Sequence, residues 1–316
     1  MRFVKHQILL ITILFPAFFY GQFYYGSQQE FGKSRVQYQP FYWTYYNFDN
    51  YQIFFYEGCR DIARYVSLRT DYHLKDLQKR LDYQTNTKFQ ILVYSNQGDF
   101  RQTNLGLSTD LVSNTGGTSK SVGTKLSVYF NGNLAELDRQ IRAGVAETLV
   151  NEILYGGGVV KTMFNSTFLI VPDWFKKGLI TYLSEGWDTD VDNQVNDGVV
   201  FDRYYKMARL NDKDAIIVGR GLWQHIAETY GESSIANILY MTKVSRNVES
   251  AFMFVVGNNT QGLLYEWLDA RSRNAMKKDS TQTFPSQNPI ILKPKATRDY
   301  YQLKISPDGN QVIYAR

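Results

Sequence analysis

The pattern of apolar and polar positions divides the chain into a mixed first half and a helical second half. In the first half, short runs rich in β-branched and aromatic residues predict strands at Tyr51–Tyr56, at Lys88–Asn96 and from Leu126 onward. Between the first two strands, apolar residues recur at helical spacing and predict a helix over Ile62–Leu81. The predicted fold class is therefore α+β, with a small mixed sheet near the N-terminus.

The second half begins with a long helix that has a wide apolar face. Over Leu134–Tyr155, four apolar residues follow one another at i, i+4 spacing from Ile141, and Gly156–Gly158 stop the helix. A glycine run that ends a helix is a C-cap, whereas a phosphate-binding loop begins one. Further helices are predicted near glycine or proline residues, at Trp174–Leu183, Gly221–Tyr230, Ser234–Val244 and Gly262–Ala275.

The C-terminal part of the chain changes in composition. Residues 278–295 are rich in Ser, Thr, Gln and Pro, which is typical of a linker. In residues 296–316, apolar and polar positions alternate around Pro307–Asn310, which predicts a β-hairpin. Because one hairpin is marginal alone, we expect it to pair with strands absent from this sequence or to dock on the preceding domain.

The N-terminal residues have the three-part arrangement of a secretory signal peptide. Arg2 and Lys5 precede the apolar stretch Ile8–Tyr20, and the small residue Gly21 follows it. The stretch is shorter than the roughly 20 apolar residues that span a bilayer as a helix, and a retained anchor is the alternative. We therefore predict that residues 1–21 direct export and that the mature chain is extracytoplasmic.

Composition and charge exclude several classes of protein. The chain has 316 residues and one cysteine, Cys59, so a disulfide framework or a cysteine-based zinc site is excluded, and we expect Cys59 to be buried. The formal net charge is +5, and basic residues are scattered among acidic ones. Nucleic-acid binding is not expected, because it needs a basic stripe on one face.

The order of motifs over Tyr51–Ala270 resembles the gluzincin-like (peptidase MA-like) metallopeptidase domain. The resemblance depends on the strand, the buried helix, Val171–Leu183 (VPDWFKKGLITYL) and two later segments, GLWQHIAETYGESSIANIL and VESAFMFVVGNNTQGLLYEWL. It implies a zincin-like helical domain over residues 22–277. In active members it also implies an H-E-x-x-H helix with two zinc-binding histidines and a general-base Glu, and a third zinc ligand, also a Glu, from a later helix.

The residues at the matching positions cannot hold zinc. Placing IRAGVAETLVNEILYGG on that helix puts Ala146 and Val150 at the histidine positions and Glu147 at the general-base position. The third-ligand position falls on Lys177. The resemblance therefore implies a pseudoenzyme with a vestigial site, no catalytic residue, no metal and no cofactor.

Glu147 has two interpretations, a structural carboxylate or a surviving acid or base. A buried carboxylate without a partner is unfavourable. We therefore predict that Lys177 replaces the charge of the zinc ion and forms an ion pair with Glu147 or Glu152.

The mature chain has two histidines, His73 and His225, which are too far apart in sequence to form an i, i+4 metal pair. His225 could act as a base, but no serine or cysteine nucleophile motif accompanies it, so a structural histidine is favoured. His73 is interpreted in the same way.

Three aspartates, Asp188, Asp190 and Asp192, resemble the beginning of a calcium-binding loop. The sixth position is Asn193 where the loop needs Gly, and the twelfth is Val199 where it needs Glu. A solvated acidic loop is therefore expected.

The aromatic segment Phe41–Phe48 also has two interpretations. It is predicted to be the edge of a strand-rich core, and the alternative is a surface that binds a glycan or a partner chain.

The last segment, KISPDGNQVIYAR, resembles the first hairpin of a TolB-type β-propeller blade, with its S-P-D-G turn at Ser306–Gly309. This resemblance implies a periplasmic or outer-membrane-associated protein of a Gram-negative-type envelope. We expect a non-catalytic scaffold or protein-recognition module in tandem with a propeller, with an envelope protein as partner, peripheral association with the outer membrane, and a peptide or glycan ligand. The alternative is a metal-independent hydrolase that uses Glu147.

Overall fold

A computed structural model of the chain describes residues 37–103, 120–122, 124–157, 169–279 and 300–315. The predicted signal peptide, residues 1–21, lies outside the described residues, as does most of the predicted linker. The fold is mixed α and β, with a small mixed sheet towards the N-terminus. The chain divides into two compact units, Met1–Ser272 and Arg273–Arg316.

A five-stranded sheet forms the N-terminal layer of the first unit. Its strands are β1 (Thr44–Asn47), β2 (Tyr51–Phe55), β3 (Phe89–Tyr94), β4 (Lys120–Val122) and β5 (Lys125–Tyr129), in the spatial order β1-β2-β3-β5-β4. The central strands β2, β3 and β5 are parallel, and the edge strands β1 and β4 run antiparallel to their neighbours. The three predicted strands are confirmed, and the two edge strands are additional.

Helix α1 (Arg60–Arg80) connects β2 to β3 and packs on one face of the sheet. The short helix α2 (Gln97–Arg101) follows β3 and packs at the opposite face, where the Phe100 ring contacts those of Tyr94 and Tyr129. Helix α3 (Leu134–Tyr155) has the predicted bounds because both ends are capped. Asn133 Oδ1 accepts a hydrogen bond from the Ala135 N–H at 2.9 Å, and Gly156 ends the helix with φ of 87°. Helix α3 packs on α1 and on the sheet, as its apolar face predicts.

The second half of this unit is helical, as predicted. Its helices are α4 (Asp173–Ser184), α5 (Thr189–Val200), α6 (Asp212–Tyr230), α7 (Ser233–Ser245), α8 (Val248–Val256) and α9 (Thr260–Asp279), with a 3-10 turn at Met207–Arg209. Helix α6 begins well before the predicted Gly221, because Asn211 caps it by accepting a hydrogen bond from the Asp214 N–H at 2.8 Å. The helix over Val248–Val256 was not among the predicted elements.

The acidic loop predicted around Asp188 is wrong, since these residues begin a helix. Asp188 Oδ1 accepts a hydrogen bond from the Val191 N–H at 2.9 Å and is the N-cap of α5. Asp190 and Asp192 lie in the first turn, where a negative charge interacts favourably with the positive end of the helix dipole. The aspartate spacing that resembles a calcium loop is therefore a helix start.

The second unit contains the predicted hairpin. Strands β6 (Tyr301–Ile305) and β7 (Val312–Ala315) are antiparallel, and Gly309 in the turn has φ of 73°. Helix α9 continues to Asp279, two residues into the predicted linker.

Candidate functional site

The two positions that the family resemblance aligns with zinc-binding histidines lie inside the hydrophobic core. Ala146 and Val150, one turn apart on α3, are both fully buried. They belong to the same cluster of buried apolar residues as Leu149 on that helix. Neither side chain has an atom that can bind a metal ion, so these positions contribute packing.

Glu147 lies on α3 next to these residues and has a partly exposed side chain, with 24% of its surface accessible. Its Oε1 atom is 3.9 Å from the Nζ atom of Lys176 on α4. Burial raises the pKa of Glu147, and the charges of Lys176 and then Lys177 partly oppose that rise. The result is a carboxyl group that binds a proton more tightly than an exposed glutamate does.

The predicted ion pair of Lys177 with Glu147 or Glu152 is wrong. Lys177 Nζ is 2.7 Å from Asp173 Oδ2 on its own helix, and half of the lysine side chain, 51%, is exposed. Glu152 accepts hydrogen bonds from the hydroxyl of Thr85 at 2.5 Å and from the Asn86 N–H at 3.1 Å. Lys176 takes the predicted place beside Glu147, because one step along a helix turns the side chain by about 100°.

Two further residues of α3 extend this site along one stripe of the helix. Asn151 and Tyr155 follow Glu147 at i+4 and i+8, so all three share a face. The Oδ1 atom of Asn151 is buried and has no hydrogen-bond partner among the described residues. The Nζ atom of Lys176 is 5.9 Å from the centre of the Tyr155 ring. The i, i+4, i+8 spacing in the sequence could have indicated both residues.

Together, Glu147, Asn151 and Lys176 form the candidate functional site. The carboxyl group of Glu147 can exchange a proton, the amide oxygen of Asn151 can accept a hydrogen bond, and the ammonium group of Lys176 can pair with an anion. The site contains no nucleophile of the serine or cysteine type. Its chemistry is therefore that of proton exchange or of recognition through polar contacts.

Replacing Glu147 with glutamine should stabilise the protein at neutral pH. Because the pKa of Glu147 is raised in the folded state, the folded state binds more protons than the unfolded state between the two pKa values. Stability therefore falls as the pH rises through this window. We expect the gain of Glu147→Gln to be largest above the folded-state pKa and to disappear below the ordinary value of 4.5.

Urea unfolding of both proteins at neutral pH and below pH 4.5 measures this difference. The matched control is Glu57→Gln, which makes the same substitution at an exposed position just after β2. A Glu147→Gln protein less stable than the wild type at neutral pH would contradict the unfavourable burial of this carboxylate.

His73 lies in a hydrogen-bonded cluster between two helices. It is buried between α1 and α3, with Nε2 2.8 Å from Asp138 Oδ1. Asp138 also accepts hydrogen bonds from Arg69, whose Nη2 lies at 2.8 Å. Burial lowers the pKa of His73, although Asp138 opposes this shift. The cluster therefore joins two helices.

The other candidates are separate from the Glu147 site. His225 on α6 is partly buried, and its Nε2 atom has no hydrogen-bond partner among the described residues. Asp192 pairs with Arg271, whose Nη1 is 3.2 Å away. Cys59 is buried, as expected. Within the described ranges, no group of three or more His, Cys, Asp or Glu side chains is arranged to hold a metal ion.

A cluster around Trp187 was missed by the sequence analysis. Two guanidinium groups lie over the Trp187 ring, with Arg271 at 4.4 Å and Arg220 at 5.6 Å from its centre. Arg220 is buried, 3.1 Å from Glu185 Oε2, and donates a hydrogen bond to the Gly186 carbonyl. These contacts fix the chain between α4 and α5.

The chain matches no protein-family model, and a search of curated proteins gives no match. In the part of the chain that the structure describes, no helix has both the length and the apolar character to span a bilayer.

Proposed function

We propose that the chain is an exported, non-catalytic module with a degenerate gluzincin-like domain, acting as a scaffold or protein-recognition domain in the cell envelope. The observation that supports this proposal is the burial of Ala146 and Val150 in the apolar core. The family resemblance places the zinc-binding histidines at these two positions. A catalytic zinc site needs three protein ligands to hold an activated water, and both positions instead contribute to packing.

The proposal includes a second module and a location. The hairpin of β6 and β7, with its Ser306–Gly309 turn, supports a TolB-type propeller in tandem with the first domain. The Ser306 hydroxyl bonds to the Asp308 carboxylate, and Gln311 N–H donates to the same hydroxyl at 2.9 Å, which holds the turn. We place the protein in the periplasm or at the outer membrane, with an envelope protein as partner.

Metal removal tests the non-catalytic role. Elemental analysis of the purified chain should find no stoichiometric zinc, and a chelator should leave the Tm unchanged, because folding would not be coupled to metal binding. An authentic zinc metallopeptidase treated in parallel is the positive control. Bound zinc at one ion per chain, or a lower Tm after chelation, would overturn the proposal.

A metal-independent hydrolase is the second candidate, and the properties of Glu147 favour it. A general base works best when its pKa approaches the working pH, and burial shifts Glu147 in that direction. The side chain remains partly accessible, next to a cation. The missing Lewis acid is the argument against this candidate, since a metal-activated water is worth several kcal/mol of barrier.

Peptidase and esterase assays on the full chain separate the two candidates. A hydrolase should lose its activity in Glu147→Gln and keep it in the matched variant Glu57→Gln, which makes the same substitution at an exposed position just after β2. Absence of hydrolysis in the wild-type protein would exclude this second candidate for the substrates assayed.

A further inference from the structure

The face of the sheet opposite α1 carries an ordered arrangement of side chains. The strand register places side chains of four strands side by side in three rows across this face. The aromatic row contains Trp43, Tyr56, Tyr94 and Tyr129; the apolar row contains Tyr45, Phe54, Leu92 and Ser127; and the amide row contains Asn47, Gln52, Gln90 and Lys125.

The aromatic row is the closed end of this face. Phe41 and Trp43 lie on Tyr56 and Tyr94, with ring centres 4.8 to 6.1 Å apart. Phe100 of α2 also packs on Tyr94, with ring centres 5.5 Å apart. These packed rings block the face at one end. Within the aromatic segment, Phe41 and Tyr46 pack against the core, whereas Tyr42, Trp43, Tyr45 and Phe48 are exposed, so only part of the segment is the predicted core edge.

The apolar row offers an exposed aromatic surface next to this closed end. The rings of Tyr45 and Phe54 lie 5.3 Å apart and tilted by 30°, so they form a nearly continuous platform. Tyr45 is 55% exposed, and Phe54 and Leu92 are partly exposed. An exposed aromatic pair held by two neighbouring strands is a rigid surface for an apolar ring face.

The amide row lies two residues along the strands from this platform, about 7 Å away. Its amides are already oriented by one another: Gln90 donates to Gln52 at 3.3 Å, and Gln52 donates to Asn47 at 3.2 Å. Each amide group can form further hydrogen bonds as both donor and acceptor. The row therefore presents fixed polar groups at a constant distance from the aromatic pair.

The charges along the amide row are positive. Lys88 Nζ donates to Asn47 Oδ1 at 2.8 Å, and Lys125 occupies the end of the row on β5. Both lysines are exposed, and none of the residues in the three rows carries a carboxylate. The carboxylate of Asp99, which accepts a hydrogen bond from the Tyr56 hydroxyl, lies at the closed end. The amide end is therefore the part of this face whose charge is complementary to an anionic ligand.

We propose that this face of the sheet binds an acidic oligosaccharide, with a sugar ring against Tyr45 and Phe54, hydroxyl groups on the amide row and carboxylates beside the two lysines. Sugars combine apolar C–H faces with hydroxyls that both donate and accept hydrogen bonds, and the two rows match this combination. Single-stranded nucleic acid could also stack on the rings, but it needs a longer basic track for its phosphates. The proposal is independent of the Glu147 site.

Calorimetric titration of the full chain with tetragalacturonate tests the proposal. We expect binding, with at least severalfold weaker binding of a neutral galactose tetrasaccharide because the latter has no charge to pair with the lysines. Tyr45→Ala should raise the Kd for tetragalacturonate by about five- to tenfold, because the free energy of one aromatic contact corresponds to a factor of about that size. The matched control is Tyr240→Ala, which removes another exposed tyrosine (62%) on α7 and should leave binding unchanged.

Asn47→Ala is a second variant, which tests the amide row without touching the aromatic platform and should also weaken binding. Both positions are exposed, so both variants should keep the wild-type Tm. The proposal would be overturned if tetragalacturonate did not bind, if Tyr45→Ala bound it as well as the wild type, if the neutral sugar bound equally well, or if oligo-dT bound more tightly than either sugar.

Discussion

Replacing Trp223 with alanine should lower the free energy of unfolding by about 3–5 kcal/mol, a large part of the stability of an ordinary domain. Trp223 is fully buried on α6, and its ring centre lies 5.0 Å from that of Phe175 on α4 and 5.9 Å from that of Phe252 on α8. Its indole N–H donates to the Phe175 carbonyl at 2.8 Å. The truncation would open a cavity where three helices meet, and urea unfolding measures its effect.

Two variants distinguish the contributions to this loss. Trp223→Phe keeps most of the aromatic packing and loses the hydrogen bond, so it should be intermediate, with about 1 kcal/mol from the hydrogen bond. Tyr240→Ala truncates an exposed aromatic residue and should change stability by less than about 0.5 kcal/mol. If Trp223→Ala were no more destabilising than Tyr240→Ala, Trp223 could not be at the centre of the helical core.

The fold could be predicted from the sequence where a local pattern was long and its ends were capped. Helix α3 met both conditions, with a repeated apolar stripe between Asn133 and Gly156. The edge strands β1 and β4 did not, because they have four and three residues and depend on pairing with distant strands. Helix α5 was missed because its aspartates resembled ligands, although acidic residues at this spacing also begin helices.

The candidate site was predicted less well than the fold, for a geometric reason. Lys176 and Lys177 are adjacent and chemically identical, so the sequence cannot say which one faces α3. The packing of α4 on α3 decides it, and Lys176 lies beside Glu147. The three rows of side chains on the sheet face opposite α1 are harder still to predict from the sequence. They depend on the register of β2 with β3, and these two strands are separated in the chain by the whole of α1.

The packing of α4 against its neighbours therefore determines which charged group lies beside Glu147. Lys176 approaches Glu147 because α4 is held against both α3 and α6. The contact between α4 and α6 is unusually close, since Gly178 on one helix faces Gly219 on the other. A Cβ atom on Gly178 would lie 2.6 Å from the Gly219 Cα atom, inside the van der Waals distance. Small residues at this crossing set the position of Lys176.

Replacing Gly219 with alanine should force these two helices apart. The added Cβ atom would overlap the backbone carbonyl of Trp174, which a rotamer change cannot relieve. Overpacking of this kind costs about 1–3 kcal/mol, and a clash with backbone belongs at the upper end of that range. We expect a lower Tm and, because α4 moves, a changed pKa of Glu147 in an NMR titration.

The matched control for this variant is Gly186→Ala. Gly186 has no atom within 4 Å of its added Cβ, so this variant should stay within about 0.5 kcal/mol of the wild type. The two variants add the same methyl group, but only Gly219 lies inside a helix, where alanine is intrinsically favoured over glycine by about 1 kcal/mol. A loss of stability in Gly219→Ala relative to Gly186→Ala is therefore a lower limit on the cost of the clash. Equal stability of the two would mean that α4 and α6 are farther apart than the glycine pair requires, and the position of Lys176 would then need another cause.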